Sequence, residues 1–79
     1  MNNPFSPPPK KLKVLLSFTD AIVEVSKGFS IARESWEDKT EYILLVDRWL
    51  SIKKADSVHQ WVILDEELTA TDWYVRGKN

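Results

Sequence analysis

The sequence contains no cysteine, only two glycines and only one histidine. The lack of cysteine excludes disulfides and thiolate chemistry, and it is typical of proteins of the reducing cytoplasm. Two glycines cannot supply a phosphate-binding loop of the P-loop or GxGxxG type. The single histidine, His59, lies in a predicted strand, with no second imidazole to share a metal and no recognisable nucleophile motif. The sequence therefore predicts a protein that is not an enzyme and needs no metal or cofactor.

Proline, excess charge and long apolar runs are also missing from most of the chain. All four prolines precede residue 10, which predicts a flexible Pro/Lys-rich arm at residues 1–13 and a single domain at residues 14–77. Eleven basic against twelve acidic residues give a net charge of −1, so duplex nucleic acid is not expected as a partner. No apolar run reaches the roughly 20 residues that span a bilayer. We expect a soluble intracellular protein, and 79 residues without disulfides favour self-association.

The first part of the domain has the pattern of an amphipathic helix. Apolar residues recur at helical spacing, at Phe18, Ala21, Ile22 and Val25. Ser17, with Asp20 three residues later, resembles an N-terminal capping pair, and Gly28 suits a left-handed C-terminal stop. We therefore predict a helix from residue 18 to residue 27.

Five segments have the composition of β-strands: residues 29–33, 42–46, 48–53, 58–64 and 72–76. The run YILLV at residues 42–46 is apolar at every position, which predicts a strand covered on both faces. A polar turn at residues 54–57 joins the third and fourth strands as a hairpin, and the acidic stretch at residues 65–70 favours one helical turn. The predicted fold class is α+β, with one N-terminal helix on a small antiparallel sheet, a short C-terminal helical turn and a final strand.

Aromatic residues distinguish this chain from an ordinary small domain, since it has four tryptophans, two tyrosines and three phenylalanines. Indoles stack on nucleobases, and arginine forks onto phosphate oxygens. Arg33 and Trp36, at the end of a strand and in the loop after it, have this combination. In the alternative interpretation, Arg33 pairs with an acid such as Glu34 or Glu37, and Trp36 fills a core edge or an oligomer interface. The residues alone leave the two interpretations even.

The order and spacing of two longer segments add a resemblance to a known family. The segment FTDAIVEVSKGFSIARESW (residues 18–36) resembles the opening pattern of the anti-Thoeris phage protein of the second type. The segment WVILDEELTATDW (residues 61–73) is similar to the closing pattern of that family, with Leu68, Ala70, Asp72 and Trp73 at matching positions. The likeness runs from residue 18 to about residue 76.

The resemblance implies a phage anti-defence sponge in the cytoplasm of the infected bacterial host. Such a sponge binds a cyclic nucleotide immune signal of the glycocyclic ADP-ribose type without cleaving it, and some relatives also hold cyclic dinucleotides at a separate site. It implies a homotetramer, a dimer of dimers, with ligand pockets between subunits. The alternative from another class is a small phage protein–protein interaction module, whose aromatic residues form oligomer or partner interfaces.

The resemblance also implies roles for individual residues. Trp36 and Trp73 are expected as aromatic platforms for the purine, and Arg33 is expected to face phosphate or to order the Trp36 loop. Phe18 and Asp72 are expected close to the pocket, with Asp72 accepting hydrogen bonds from ribose hydroxyls. Trp61 is expected in the ligand site or, equally, in the core or an oligomer interface.

The chain departs from the family pattern just after Arg33. Where relatives commonly have Gly-Trp-Asn-Gly, this chain has Ser35-Trp36-Glu37-Asp38. The two added acids would repel a diphosphate unless they point away from it or bind hydroxyls.

Overall fold

A computed structural model describes residues 14–78, so the predicted arm at residues 1–13 lies outside the described residues. The described chain confirms the α+β prediction: one helix, four strands, a short helix and a last strand. In chain order the elements are α1 (Phe18–Ser26), β1 (Phe29–Arg33), β2 (Tyr42–Val46), β3 (Trp49–Lys54), β4 (Ser57–Gln60), α2 (Asp65–Thr69) and β5 (Trp73–Lys78). Within residues 14–78, neither helix is long enough to cross a membrane.

The predicted N-terminal helix and its end signals are confirmed. The Ser17 side chain accepts a hydrogen bond from the Asp20 N–H at 3.2 Å, which satisfies one of the free N–H groups of the first turn. Gly28, with a φ of 100°, ends the helix in a conformation that a side chain would strain. Ala21 and Val25 are buried, so this face of α1 holds the helix against the sheet.

All five strands form one antiparallel sheet in the order β4-β3-β2-β1-β5. The last strand therefore lies next to the first, and Arg33 pairs with Trp73 across them. The register shifts beside Ser30 and Ile31, which leaves one extra residue in β5. This long-range pairing brings the start of β5 to the end of β1, where the predicted site residues meet.

Both described helices lie on one face of the sheet. The core on that face contains Ala21, Val25, Ile31, Ile43, Trp61 and Trp73. Because side chains alternate along a strand, the neighbours Ser30, Ala32, Tyr42 and Leu44 point to the other face, which no described helix covers. We call this second surface the open face.

Two details of the sequence prediction are wrong. The fourth strand ends at Gln60 and not at residue 64, because Trp61 turns into the core and the chain then crosses to α2. The strand β2 is not covered on both faces in the single chain. Ile43 is fully buried, but Leu45 and Val46 remain 43% and 36% exposed. Helix α1 packs mainly on β1 and β5, and no described helix covers the face that carries Val46.

Candidate ligand-binding site

Four aromatic side chains meet at the junction of α1, β1 and β5. This aromatic cluster consists of Phe18, Trp36, Trp61 and Trp73. Trp73 lies at its centre, with ring centroids 5.8 Å from Phe18, 5.7 Å from Trp36 and 5.7 Å from Trp61. All three contacts are edge-to-face, the arrangement that aromatic quadrupoles favour. The cluster therefore fixes the orientation of each ring as well as burying it.

Trp73 is a core residue of the single chain. Its exposed fraction is 0%, and its indole Nε1 donates a hydrogen bond to the Glu67 carbonyl oxygen at 3.1 Å. Its backbone pairs with Leu16 on one side and with Arg33 on the other. In this packing no face of the Trp73 ring is open to a purine, so the geometry does not support its predicted role as a second platform.

Trp36, in contrast, is half-buried and lies in the loop after β1. The Trp36 ring packs against the Trp73 ring in an edge-to-face contact, with an interplanar angle of 77°. The backbone N–H of Trp36 donates to the Arg33 carbonyl oxygen at 3.2 Å, and this bond closes the turn that carries Trp36. The charged neighbours of Trp36 in sequence are thus compatible with partial burial, because the ring folds back onto Trp73.

An ion pair joins the end of β1 to the start of β5. The Arg33 Nε donates to the Asp72 Oδ1 at 2.8 Å, and both side chains are largely buried, with 18% and 24% exposed. The Ser35 N–H donates to the second carboxylate oxygen at 3.0 Å, and the Glu34 N–H donates to the Asp72 carbonyl oxygen at 2.9 Å. Asp72 therefore holds the last residue of β1 and the first two residues of the loop that carries Trp36.

The same contacts explain the charge state of Asp72. Burial by itself would raise the pKa of this carboxyl group, but hydrogen bonds from Arg33 and Ser35, together with the positive charge of Arg33, outweigh burial. The pKa of Asp72 therefore lies below its usual range. The partner of Arg33 is thus neither Glu34 nor Glu37, the acids proposed from the sequence, but an acid 39 residues away.

The guanidinium of Arg33 also lies beside the aromatic cluster, with its Cζ 6.0 Å from the Trp73 ring centroid. A guanidinium has five N–H donors, and the bond to Asp72 uses one of them. The structure thus brings all six predicted residues into one connected group: Phe18, Arg33, Trp36, Trp61, Asp72 and Trp73. That they bind a ligand stays a prediction.

Phe18 and Trp61 form the inner side of the cluster. Their ring centroids lie 6.0 Å apart, and Trp61 is 8% exposed. Trp61 also lines a cavity of about 380 Å³ on the side towards β4. The residues that line this cavity are Ile52, Lys54, His59, Gln60, Trp61, Val62, Leu64 and Glu67. Arg33, Trp36 and Asp72 do not border it, so the cavity and the Trp36 loop are separate features.

The two acids that depart from the family pattern have different surroundings. Asp38 accepts hydrogen bonds from both the N–H and the hydroxyl of Thr40, and these bonds lower the pKa of Asp38. The Asp38 carboxylate therefore stabilises the turn that it belongs to. Glu37 is exposed. The hydrogen bonds from Thr40 thus fix the direction of the Asp38 carboxylate.

Sequence reasoning missed two residues that hold the site. Glu67 is 7% exposed, its carboxylate accepts from the Leu64 N–H at 2.9 Å, and its carbonyl oxygen accepts from Trp73. The sequence signal was present, since a glutamate at the third position of a helix often accepts a hydrogen bond from the backbone N–H of the residue just before the helix. Ser35 contributes through its backbone N–H, and no side-chain pattern identifies such a role.

His59 lies at the opposite edge of the sheet from this site. It is exposed on β4, and its Nε2 is 2.8 Å from the Ser57 hydroxyl oxygen. Within residues 14–78, no three His, Cys, Asp or Glu side chains are grouped as metal ligands would be.

Comparison with known proteins gives one result that covers most of the chain. Residues 16–76 match the Tad2-like family model, the Thoeris anti-defense 2-like domain. This range includes both helices, the aromatic cluster and the Arg33–Asp72 pair. A search of curated proteins finds no match. The chain thus belongs to the Tad2-like family, whose function is phage anti-defence against Thoeris.

Proposed function

We propose that this protein is a sponge that binds a cyclic nucleotide immune signal in the cytoplasm of the infected bacterium and holds it without cleaving it. The signal is of the glycocyclic ADP-ribose type, and cyclic dinucleotides are a second ligand class. The mechanism is mass action: protein in excess over the dissociation constant lowers the free signal below the level that activates the defence effector. The membership of the chain in an anti-Thoeris family supports the biological role.

The observation that carries the ligand proposal is the position of Trp36. Its ring is backed by Trp73, half-buried and held by a loop that Asp72 ties to β5. A ring supported on one side and open on another is pre-organised for stacking, so little conformational entropy is lost on binding. Base stacking on such a ring contributes roughly 1–3 kcal/mol. Trp36 is therefore the purine platform, and Trp73 supports it from the core.

Arg33 supplies the charge complementary to a diphosphate. Asp72 orients the guanidinium through Nε, and further N–H donors remain on the group for phosphate oxygens. Asp72 neutralises part of the charge of Arg33, so the pair favours a ligand that brings both an anion and hydroxyl groups. Cyclic ADP-ribose isomers carry both, since their ribose hydroxyls can donate to the carboxylate.

A second copy of the chain completes the site in this proposal. Trp36 and Arg33 form one wall, and a single described chain places no second aromatic platform opposite Trp36 because Trp73 is buried. The protein acts as a homotetramer, a dimer of dimers, in which a neighbouring subunit closes the pocket over the purine.

Isothermal titration with cyclic ADP-ribose isomers tests the proposal. The wild-type protein is expected to bind at least one isomer, and Trp36→Ala to weaken binding by roughly 5- to 150-fold through the loss of roughly 1–3 kcal/mol of stacking. The matched control is Val23→Ala, which removes an exposed side chain from the outer side of α1. Circular dichroism checks that each variant is folded.

Two outcomes contradict the proposal. Wild-type protein that binds neither cyclic ADP-ribose isomers nor cyclic dinucleotides favours the interaction module. Equal affinity of folded Trp36→Ala and wild-type protein removes Trp36 from the site.

A further inference from the structure

The cavity beside Trp61 has no role in the proposed function. Its volume is about 380 Å³, and it lies between the hairpin of β3 and β4 and the segment that contains α2. Ile52 and His59 pair across the hairpin and border the cavity on one side, and Leu64 and Glu67 border it on the other. Ligand pockets have volumes of about 300–1,000 Å³, so this cavity is of a size for one small ring system.

Two polar groups that border the cavity are buried without a hydrogen-bond partner in the described part of the chain. Glu67 is 7% exposed, and its Oε1 accepts from the Leu64 N–H, but its Oε2 accepts no hydrogen bond within residues 14–78. Trp61 is 8% exposed, and its indole N–H donates to no acceptor among the same residues. Because an unpaired buried donor or acceptor is costly, each group favours a ligand that pairs with it.

Both unpaired groups are held in place by the packing around them. The hydrogen bond to the Leu64 N–H, at 2.9 Å, fixes the Glu67 carboxylate, and the Glu67 carbonyl oxygen is bonded to the Trp73 indole. The Trp61 ring packs against Phe18 and Trp73 on its inner side, with centroids 6.0 Å and 5.7 Å away, and has the cavity on its outer side. The donor and the acceptor are therefore pre-organised, which limits the entropy lost on binding.

The rest of the lining favours a flat neutral molecule. Ile52, Val62 and Leu64 supply apolar contacts for a ring. An anion is repelled by the Glu67 carboxylate. A cation that only donates hydrogen bonds leaves the Trp61 N–H unpaired and meets the ammonium group of Lys54, which also lines the cavity. The complementary ligand edge has an N–H donor for the carboxylate and a carbonyl acceptor for the indole, which is the edge of an amide.

We infer that the cavity binds a small neutral molecule with an amide edge on a flat apolar ring. The ligand N–H donates to the Glu67 Oε2, and the ligand carbonyl oxygen accepts from the Trp61 indole N–H. An open carboxamide and a ring lactam share this edge. Arg33, Trp36 and Asp72 do not border the cavity, so the inference goes beyond the proposed function and does not depend on it.

Titration with benzamide, followed through the indole N–H signals of proton–nitrogen NMR spectra, tests the inference. The chain has four tryptophans, and sequential assignment identifies the signal of Trp61. Benzamide is expected to shift this signal more than that of the exposed Trp49, because its carbonyl oxygen accepts from the Trp61 N–H. Benzoate has the same size but is anionic, and it is expected to bind at least about tenfold more weakly because Glu67 repels it.

The two sources of the amide edge are compared with two probes. Benzamide has the edge as an open carboxamide, and 2-pyridone has it as a ring lactam. Binding of either probe at the Trp61 signal supports the inference, and the tighter one identifies the source.

Glu67→Gln changes the proposed hydrogen bond without removing the side chain. A glutamine carbonyl can still accept from the Leu64 N–H, as in other capping boxes, while its amide group replaces the free acceptor with a donor. The affinity for benzamide is expected to fall by roughly 10- to 150-fold, and the preference over benzoate to be lost. Glu66→Gln is the matched control, because it removes the same charge from an exposed position of α2 that does not border the cavity. It is expected to keep the wild-type affinity.

Three results overturn the inference: a Trp61 signal that neither benzamide nor 2-pyridone shifts, benzoate binding to wild-type protein as tightly as benzamide, or folded Glu67→Gln with the wild-type affinity for benzamide. The first two need only wild-type protein, so they decide the matter even if Glu67→Gln fails to fold. Titration with cyclic ADP-ribose isomers tests the proposed function separately. A protein that binds these nucleotides and no amide rejects only this inference.

Discussion

Trp36 and Trp73 are the same residue type but have different roles, one at the edge of the core and one inside it. Both rings belong to the aromatic cluster and differ in burial, since Trp73 is fully buried and Trp36 only partly. The buried indole has its N–H paired with a carbonyl oxygen, so it can serve as core without an unsatisfied donor. The exposed part of the other indole is the surface that a ligand can use.

Asp72 gives a prediction with a definite pH dependence. Its pKa is lowered in the folded state, so its contribution to stability is fully present above the unfolded value of about 3.9 and is lost as pH falls through the folded pKa. Asp72→Asn is expected to destabilise the protein at pH 7 and to show less further loss of stability below about pH 4. Urea unfolding midpoints between neutral and acid pH measure this. An acid loss in Asp72→Asn equal to that of wild-type protein contradicts it.

Local signals in the sequence sufficed for several elements. The helix α1 was predictable because its apolar spacing, its Ser17 cap and its Gly28 stop all lie within a dozen residues. The end of β4 was not, because Trp61 leaves the strand to reach Phe18 and Trp73, which are distant in sequence.

The candidate site was predictable only in part. The resemblance grouped Arg33 with Asp72, but no local pattern shows that β5 pairs with β1 and brings these side chains within 2.8 Å. Burial of Trp73 follows from the same pairing. Composition marked the indoles as important without separating the core ring from the accessible one.

The turn between β2 and β3 allows a test of how backbone conformation affects the stability of this hairpin. Asp47 and Arg48 both have positive φ, 49° and 74°, as a two-residue hairpin turn of the primed kind requires. Aspartate tolerates this conformation, whereas arginine is strained in it. Arg48→Gly is expected to stabilise the protein by roughly 0.5–1 kcal/mol, since glycine has no Cβ to strain.

Urea unfolding measures the effect of Arg48→Gly. Arg48→Lys is the matched control, because lysine keeps the charge and the strained conformation and should leave stability unchanged. Equal or lower stability of the glycine variant relative to wild-type protein would contradict the account of this turn.

Within residues 14–78, the molecule is one sheet with both described helices on the same side. A small domain has too little interior to bury all its apolar residues, and Trp49, Val46 and Val58 remain exposed on the sheet face that neither described helix covers. In our account self-association compensates for the small interior, because a second copy of the chain closes the pocket over Trp36. The oligomer is then the working unit of a nucleotide sponge.

The most direct test of the central claim is recovery of an intact ligand. Wild-type protein is incubated with a cyclic ADP-ribose isomer, freed of unbound nucleotide by filtration and heated, and the released material is identified by chromatography. Our account predicts that the protein retains the nucleotide and that heating returns it chemically unchanged. Release of a cleaved product, or retention of no nucleotide at all, would contradict it.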